Sequence, residues 1–148
     1  MSIHMRMATA VATLVDRMDA DTTEAWDSLT GLQVILVRVI ANAGRTSRSS
    51  LATVARTSTA AAVPSVNSLI RKGMVAEIRD TSGRYLVLAP LGRAMLNEVE
   101  LARSDWLMRA ADAAHPPVGV EPLVHATSTI ERLTIGPLET GRAGRRGR

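Results

Sequence analysis

Met7, Val11, Leu14, Val15 and Met18 recur at helical spacing, which predicts an amphipathic helix over about 5–20. A polar break, Asp19 to Thr23, follows. Ser28-Leu29-Thr30 then precedes a second helix, about 31–42, closed by Asn42-Ala43-Gly44. Ser47, with Thr46 before it, can cap a short helix over about 48–56, and Ser58 can cap another over about 59–72. Two apolar runs, Met74 to Ile78 and Tyr85 to Ala89, flank the polar turn Arg79 to Arg84 and read as paired strands. A long helix from Leu91 to about Ala113 carries the stripe Met95, Val99, Ala102, Trp106 and Ala110, and His115-Pro116-Pro117 stops it. Pro122 suits the first turn of a last helix, about 122–133, bearing Leu123, Val124, Ile130 and Leu133.

The middle of the chain is the most informative. A short helix opening its apolar pattern at Leu51-Ala52 is followed by one that ends in Leu69-Ile70-Arg71-Lys72-Gly73-Met74-Val75. Gly73 can take the left-handed conformation that closes a helix, and Met74-Val75 begin the first strand. Helix, turn, helix and a two-stranded ribbon is the layout of a winged helix-turn-helix, whose second helix lies in the DNA major groove. The expected fold is mainly α with a small β-ribbon wing (α+β). Residues 29–93 form the winged helix-turn-helix, and 1–28 with 94–135 form a flanking helical region. The apolar stripes of those flanking helices have no obvious partner in so small a module. Packing on the winged helix is one solution. A two-fold copy of the chain is the favoured one, because two recognition helices need a separation of about 34 Å, one turn of DNA. The expected dimer interface is Met7, Val11, Leu14, Val15, Val99, Trp106, Ala110, Leu123, Val124 and Ile130.

Charge strengthens the nucleic-acid reading. Residues 45–93 hold eight cations (Arg45, Arg48, Arg56, Arg71, Lys72, Arg79, Arg84 and Arg93) against Glu77 and Asp80 alone, a balance of +6 in a chain whose net charge is +4. The basic run Gly141 to Arg148, within a segment 136–148, has no apolar residues to bury beyond Ala143 and is expected to be a disordered tail. Zero cysteines exclude disulfides and thiolate metal sites. No apolar stretch approaches the roughly 20 residues that span a bilayer, and the start lacks the apolar core of a secretion signal. A cytoplasmic protein without a membrane is expected.

In order and spacing these motifs resemble the MarR (multiple antibiotic resistance regulator) family of bacterial transcription factors. Leu29-Thr30-x-x-Gln33 is similar to the family's opening of its second helix, and Leu51-Ala52 to the Leu-Ala of its third. The interval from Leu51 to Leu69 matches the family's, and Arg71-Lys72-Gly73-Met74-Val75 resembles its Lys-Gly-Leu-Val ending. Leu88-Ala89-Pro90-Leu91-Gly92-Arg93 is similar to the Leu-Thr-x-x-Gly-(Arg/Lys) that begins the fifth helix, with Ala89 in place of Thr. The resemblance implies a homodimer on a pseudo-palindromic double-stranded operator, released by a small, often aromatic or phenolic effector.

Two departures stand out. The recognition-helix segment, Thr59-Ala60-Ala61-Ala62-Val63-Pro64-Ser65, is nearly stripped of donors and acceptors, and Pro64 stands where relatives often have Arg. Pro64 also deletes the amide that would bond back to the Ala60 carbonyl, which predicts a kink or a helix that starts late. Alanine methyls and Thr59 can contact thymine methyls, a low-information readout. The wing, Asp80-Thr81-Ser82-Gly83-Arg84, is shorter than the family's and has no second Asp. The candidate DNA-binding residues are Ser47, Arg48, Thr57, Ser58, Thr59, Ala60, Ala61, Val63, Pro64, Ser65, Asn67, Ser68, Arg71, Arg79 and Arg84. Among them Arg84 is either the minor-groove residue or a solvated turn residue, and Arg79 is a phosphate contact.

Aromatic residues make up only 2% of the chain, so each large ring counts. Trp26, Met18 and Met95 are candidates for an effector pocket, although Trp and Met also serve as plain core residues. His4, His115 and His125 lack metal-ligand spacing, so neither a metal nor a cofactor is expected. There is no Gly-rich phosphate loop or nucleophile elbow, and an enzyme is not expected. The competing reading is a ligand- or protein-binding module on a winged-helix scaffold that has lost specific operator binding.

Overall fold

The computed structural model describes residues 1–135; the basic tail 136–148 lies outside the described residues. The chain runs α1 (Ile3–Asp21), a 3-10 turn (Thr23–Trp26), α2 (Gly31–Ala43), β1 (Arg45–Thr46), α3 (Arg48–Val54), α4 (Thr59–Arg71), β2 (Val75–Asp80), β3 (Gly83–Leu88), α5 (Pro90–Ala113) and α6 (Val120–Thr134). The fold is α+β: six helices and one antiparallel sheet in the order β1-β3-β2. Two compact units are present, Met1–Trp106 and a second beginning at Leu107. No helix among the described residues is long and apolar enough to cross a membrane.

Local chemistry explains where the helices begin. Thr30 and Gln33 form a capping box: the Thr30 hydroxyl accepts from the Gln33 amide at 3.2 Å, and the Gln33 side chain accepts from the Thr30 amide at 3.0 Å. This bond also satisfies the Oε1 acceptor of the buried Gln33 side chain. Ser47 and Ser58 cap α3 and α4 by accepting from the Ser50 and Ala61 amides.

The two helix ends around α4 are equally defined. After α4 the Gly73 amide donates to Ile70 and the Met74 amide to Leu69, a Schellman motif with Gly73 at φ +74°. The same pattern closes α3, where Arg56 donates to Thr53 and Thr57 to Ala52. There the left-handed residue is Arg56, at φ +55°. That is why α3 stops at Val54, short of the position the hydrophobic pattern suggested.

Leu36, Val37 and Ile40 of α2, Leu51 of α3, Val66 and Leu69 of α4, Val75 of β2, and Leu86 and Leu88 of β3 form one core. The strand β1 pairs Arg45 with Val87 and Thr46 with Leu86; two residues carry too little pattern to be foreseen. Trp26, considered for an effector pocket, is 6% exposed in this core, with Met95 packed against it. Val99, expected at a dimer interface, is 1% exposed in the same core, so this residue of the α5 stripe is covered by its own chain. Trp106 also makes an intrachain contact, its indole N–H donating to Asp21 at 2.8 Å. Arg103 donates to Asp19 at 2.8 Å, so two acids at the end of α1 hold α5.

α1 has no buried residue, and Val11, Leu14 and Val15 are exposed along it. In the second unit the Val118 amide donates to the Ala111 carbonyl, closing the end of α5. Every residue of α6 is exposed, including Leu123, Val124, Ile130 and Leu133.

Gly92 sits against the Met74 carbonyl, which also accepts from the Ala89 amide at 2.9 Å. A methyl at Gly92 would collide with that backbone atom rather than with a side chain that can turn aside. Gly92→Ala is therefore expected to destabilise the chain by about 1–3 kcal/mol in urea unfolding. An unchanged midpoint would show that the wing base yields freely to α5.

Candidate nucleic-acid interface

α4 buries Ala62, Val66 and Leu69, one stripe at helical spacing. The opposite side carries Thr59, Ala60, Ala61, Val63 and Pro64, all exposed, then half-buried Ser65, Asn67 and Ser68, and exposed Arg71. Pro64 does not begin a shortened helix: α4 is continuous from Thr59, and its cap is Ser58. Ala60 and Pro64 are both exposed, so water can reach the carbonyl that the missing amide leaves unpaired.

The ribbon beside α4 has a two-residue tip, Thr81-Ser82, with Asp80 opposite Gly83 and Arg79 opposite Arg84. Side chains alternate along it, so Val75, Glu77 and Arg79 share a face with Leu88, Leu86 and Arg84. The base of that face enters the core, and its outer end carries two cations directly across from each other. Like charges in such a pair repel, and an anion between them relieves it.

Glu77 is the acid nearest to hand. Arg48 Nε and Nη2 donate to Glu77 Oε2 at 3.1 and 3.0 Å. Arg84 Nη1 lies 3.8 Å from Glu77 Oε1 and is 63% exposed. Arg48 also reaches Asn67 Oδ1 at 3.5 Å. Arg48, Ser49, Thr59, Glu77, Arg84, Tyr85 and Leu86 line an open groove of about 350 Å³. Of the sequence-predicted residues, Arg48, Thr59 and Arg84 are thus brought together, while Asn67 reaches Arg48 from α4.

Several other candidates are occupied in structure. The Ser47 and Ser58 hydroxyls serve helix caps, and the Thr57 amide closes α3. Sequence reasoning counted Arg45, Arg56 and Glu77 only in the charge of the basic segment, and named neither them nor Tyr85 as site residues. Arg45 Nη1 donates to Asp80 Oδ2 at 2.9 Å, and its guanidinium stands 4.0 Å over the Tyr85 ring. That brace joins residues 35 apart in sequence, which no local pattern reports. Among the described residues Arg56, Arg71, Lys72 and Arg79 have no ion pair or hydrogen bond from the side chain, so four cations around α4 and the wing are open to an anion.

Asp80 organises the wing tip. Its Oδ1 accepts from the Ser82 hydroxyl at 2.6 Å and the Ser82 amide at 2.8 Å, and Tyr85 donates to the same hydroxyl at 2.9 Å. These bonds, with Arg45, lower the Asp80 pKa from 3.8 to about 2. A depressed carboxyl pKa means that the ordering bonds are complete above the usual value and are lost as pH falls through about 2. The Asp80 carboxyl carbon, followed by NMR, is expected to titrate near 2, and Ser82→Ala is expected to move the midpoint up toward 3.8. A midpoint unmoved by Ser82→Ala would assign the shift to the backbone amide at position 82 and to Arg45 instead.

No protein-family model matches the chain, and no curated protein does. Solved structures do match it. The transcriptional regulator Tm0710 from Thermotoga maritima is 12% identical, with a TM-score of 0.73 over 88% of this chain and 92% of that one. A MarR family protein from Bacillus stearothermophilus is 18% identical, with a TM-score of 0.67 over 89% of this chain and 90% of that one. NadR, solved with 4-hydroxyphenylacetate, is 18% identical, with a TM-score of 0.56 over 91% of this chain and 94% of that one. Helix order, the capped α4, ribbon and backbone superposition agree: this chain has the MarR-like winged-helix fold.

Proposed function

We propose that the chain is a homodimeric DNA-binding transcriptional regulator, a repressor released by a small aromatic or apolar ligand. The observation that carries this reading is the exposed side of α4 ringed by unpaired Arg56, Arg71, Lys72 and Arg79 on a MarR-like fold. α4 is the element that enters the major groove, and the wing offers Arg79 and Arg84 to the flanking backbone. The structures that share the fold are regulators rather than enzymes, and this chain is read as a non-enzyme too.

Residues 29–93 are the DNA-binding domain in this proposal, and 1–28 with 94–135 the dimerisation region. The exposed apolar residues of α1 and, separately, of α6 are what a second copy would cover. NadR in complex with 4-hydroxyphenylacetate supports an aromatic effector. Such a ligand releases DNA by preferring a conformation whose two α4 helices no longer match the half-site spacing. The second reading, a ligand- or protein-binding module without an operator, draws on the donor-poor surface of α4 and on Arg48 being tied to Glu77.

The direct test enriches randomised duplexes on the purified full chain. The expected product is two inverted half-sites about 10 base pairs apart, bound by two chains. Equal binding to all duplexes, vanishing with salt, would favour the second reading.

Arg56 gives a sharper variant. Its left-handed backbone favours glycine, so Arg56→Gly is expected to leave stability unchanged or raise it by up to about 1 kcal/mol. The same change is expected to weaken DNA binding and to lower the salt slope by about 0.9 for each phosphate that is no longer neutralised. Unaltered DNA affinity would remove Arg56 from the interface.

A further inference from the structure

The surface that α4 presents also indicates what it can read. Each base edge in the major groove except one feature calls for a hydrogen-bonding partner: guanine N7 and O6, adenine N7 and N6, cytosine N4 and thymine O4. On the exposed first two turns of α4 only Thr59 carries such a group; Ala60, Ala61, Val63 and Pro64 carry none. Ser65 and Ser68 carry hydroxyls on the half-buried flank of the helix, and three other polar groups nearby are engaged. The Ser58 hydroxyl caps α4, Asn67 Oδ1 faces Arg48, and the Arg48 guanidinium lies on Glu77 at 3.0 Å. Arg48 is the side chain of the right type for paired bonds to guanine, and its fork is already turned to a carboxylate.

Ala60, Val63 and Pro64 follow one another at i, i+3 and i+4, so they form a single apolar patch on the helix. Val63 is 38% exposed, with area still to bury. The major-groove feature that an apolar patch can recognise is a methyl group on pyrimidine C5. We propose that α4 selects its DNA through the C5 methyl of thymine, held against Ala60, Val63 and Pro64. This rests on the reading that the chain binds DNA through α4. Arg56, Arg71 and Arg79 then supply affinity for any duplex, and the methyl patch supplies the choice among them. 5-Methylcytosine carries the same methyl, but it brings an N4 donor and pairs with a guanine whose acceptors find no partner here. Thymine is therefore the source.

The test uses the full chain and its enriched duplex in three forms: unmodified, with deoxyuridine for thymine, and with 5-methylcytosine·guanine for the half-site thymine·adenine pairs. Deoxyuridine removes only the methyl. The expected weakening is about fourfold per contacted methyl, and more than about tenfold when two are removed. The 5-methylcytosine duplex is expected to bind more weakly than the unmodified one.

Val63→Ser, at an exposed position, is expected to keep its circular-dichroism melt. It should bind the thymine duplex more weakly and respond less to the change to deoxyuridine. Pro64→Ala provides a second variant with the same binding readout; it restores the amide that Pro64 removes from α4, so its melt is expected to rise. Deoxyuridine duplex bound within a factor of two of the parent would overturn the methyl readout and leave the regulator reading intact. Equal binding of the 5-methylcytosine duplex would overturn thymine as the source. If no duplex is enriched at all, the regulator reading fails and this inference fails with it.

Discussion

α4 has to bury Ala62, Val66 and Leu69 against α2, α3 and β2, and that requirement determines what the chain shows on the other side. A helix with one stripe in the core holds its remaining residues outward at angles it cannot change without breaking the core. The same packing aims the wing. The Schellman turn at Gly73 takes the chain from the end of α4 into β2, and Val75 enters the core within two residues of that turn. The Met74 carbonyl and Gly92 then bring the start of α5 onto the base of the ribbon. α4 and the wing are thus parts of one packed body, and an anion that touched both would meet a preformed surface.

Two carboxylates tune that surface. Asp80 and Glu77 are the acids of a strongly basic segment, and each holds arginine. Asp80 uses Arg45 to stiffen the tip of the wing, so that cation serves the fold. Glu77 lies between Arg48 and Arg84 and lowers the charge of the groove without emptying it. These pairs are largely exposed, where an isolated ion pair contributes about 0–1 kcal/mol, so their main effect is to fix direction rather than to stabilise. The cations left over, Arg56 and Arg79 among them, stand at the corner between α3 and α4 and along the wing. At Arg56 the chain keeps a long cation in a backbone conformation that glycine would adopt with less strain.

Much of this was legible in the residues because local rules and the core agree. Thr30-x-x-Gln33 reads as a motif because it is a capping box, and Gly73 reads as a stop because it closes a Schellman turn. Ser58 announces α4 by the same logic. What was not legible depended on distance or on the company a stripe keeps. Val99 and Trp106 share a helical stripe with Ala110, and periodicity cannot say whether such a stripe meets its own chain or another; Val99 meets its own core. The Arg45–Asp80 brace and the Glu77 bridge are cross-strand or cross-helix contacts that sequence separation hides. Arg56 entered only as one cation of the basic segment, because left-handed arginine has no compositional mark. Pro64 suggested a kink or a late start, yet α4 begins at Thr59 and runs on, with the exposed Ala60 carbonyl left to water.

The proposed readout and the proposed dimer depend on each other. A methyl contact discriminates by about a factor of four, while a paired arginine contact to guanine is worth about 1–3 kcal/mol, up to two orders of magnitude. A single α4 reading one or two methyls would distinguish its site from bulk DNA only slightly, and the cations around it would bind every sequence. Two copies joined by a symmetric interface place two such helices on one duplex, so the free energies of their contacts add and the discrimination factors multiply. The exposed apolar residues on α1 and α6 are the surfaces from which such an interface could be built. An apolar recognition helix is consistent with a regulator when selection comes from several weak contacts set at the right spacing. The dimer, by setting that spacing, then becomes part of the reading element.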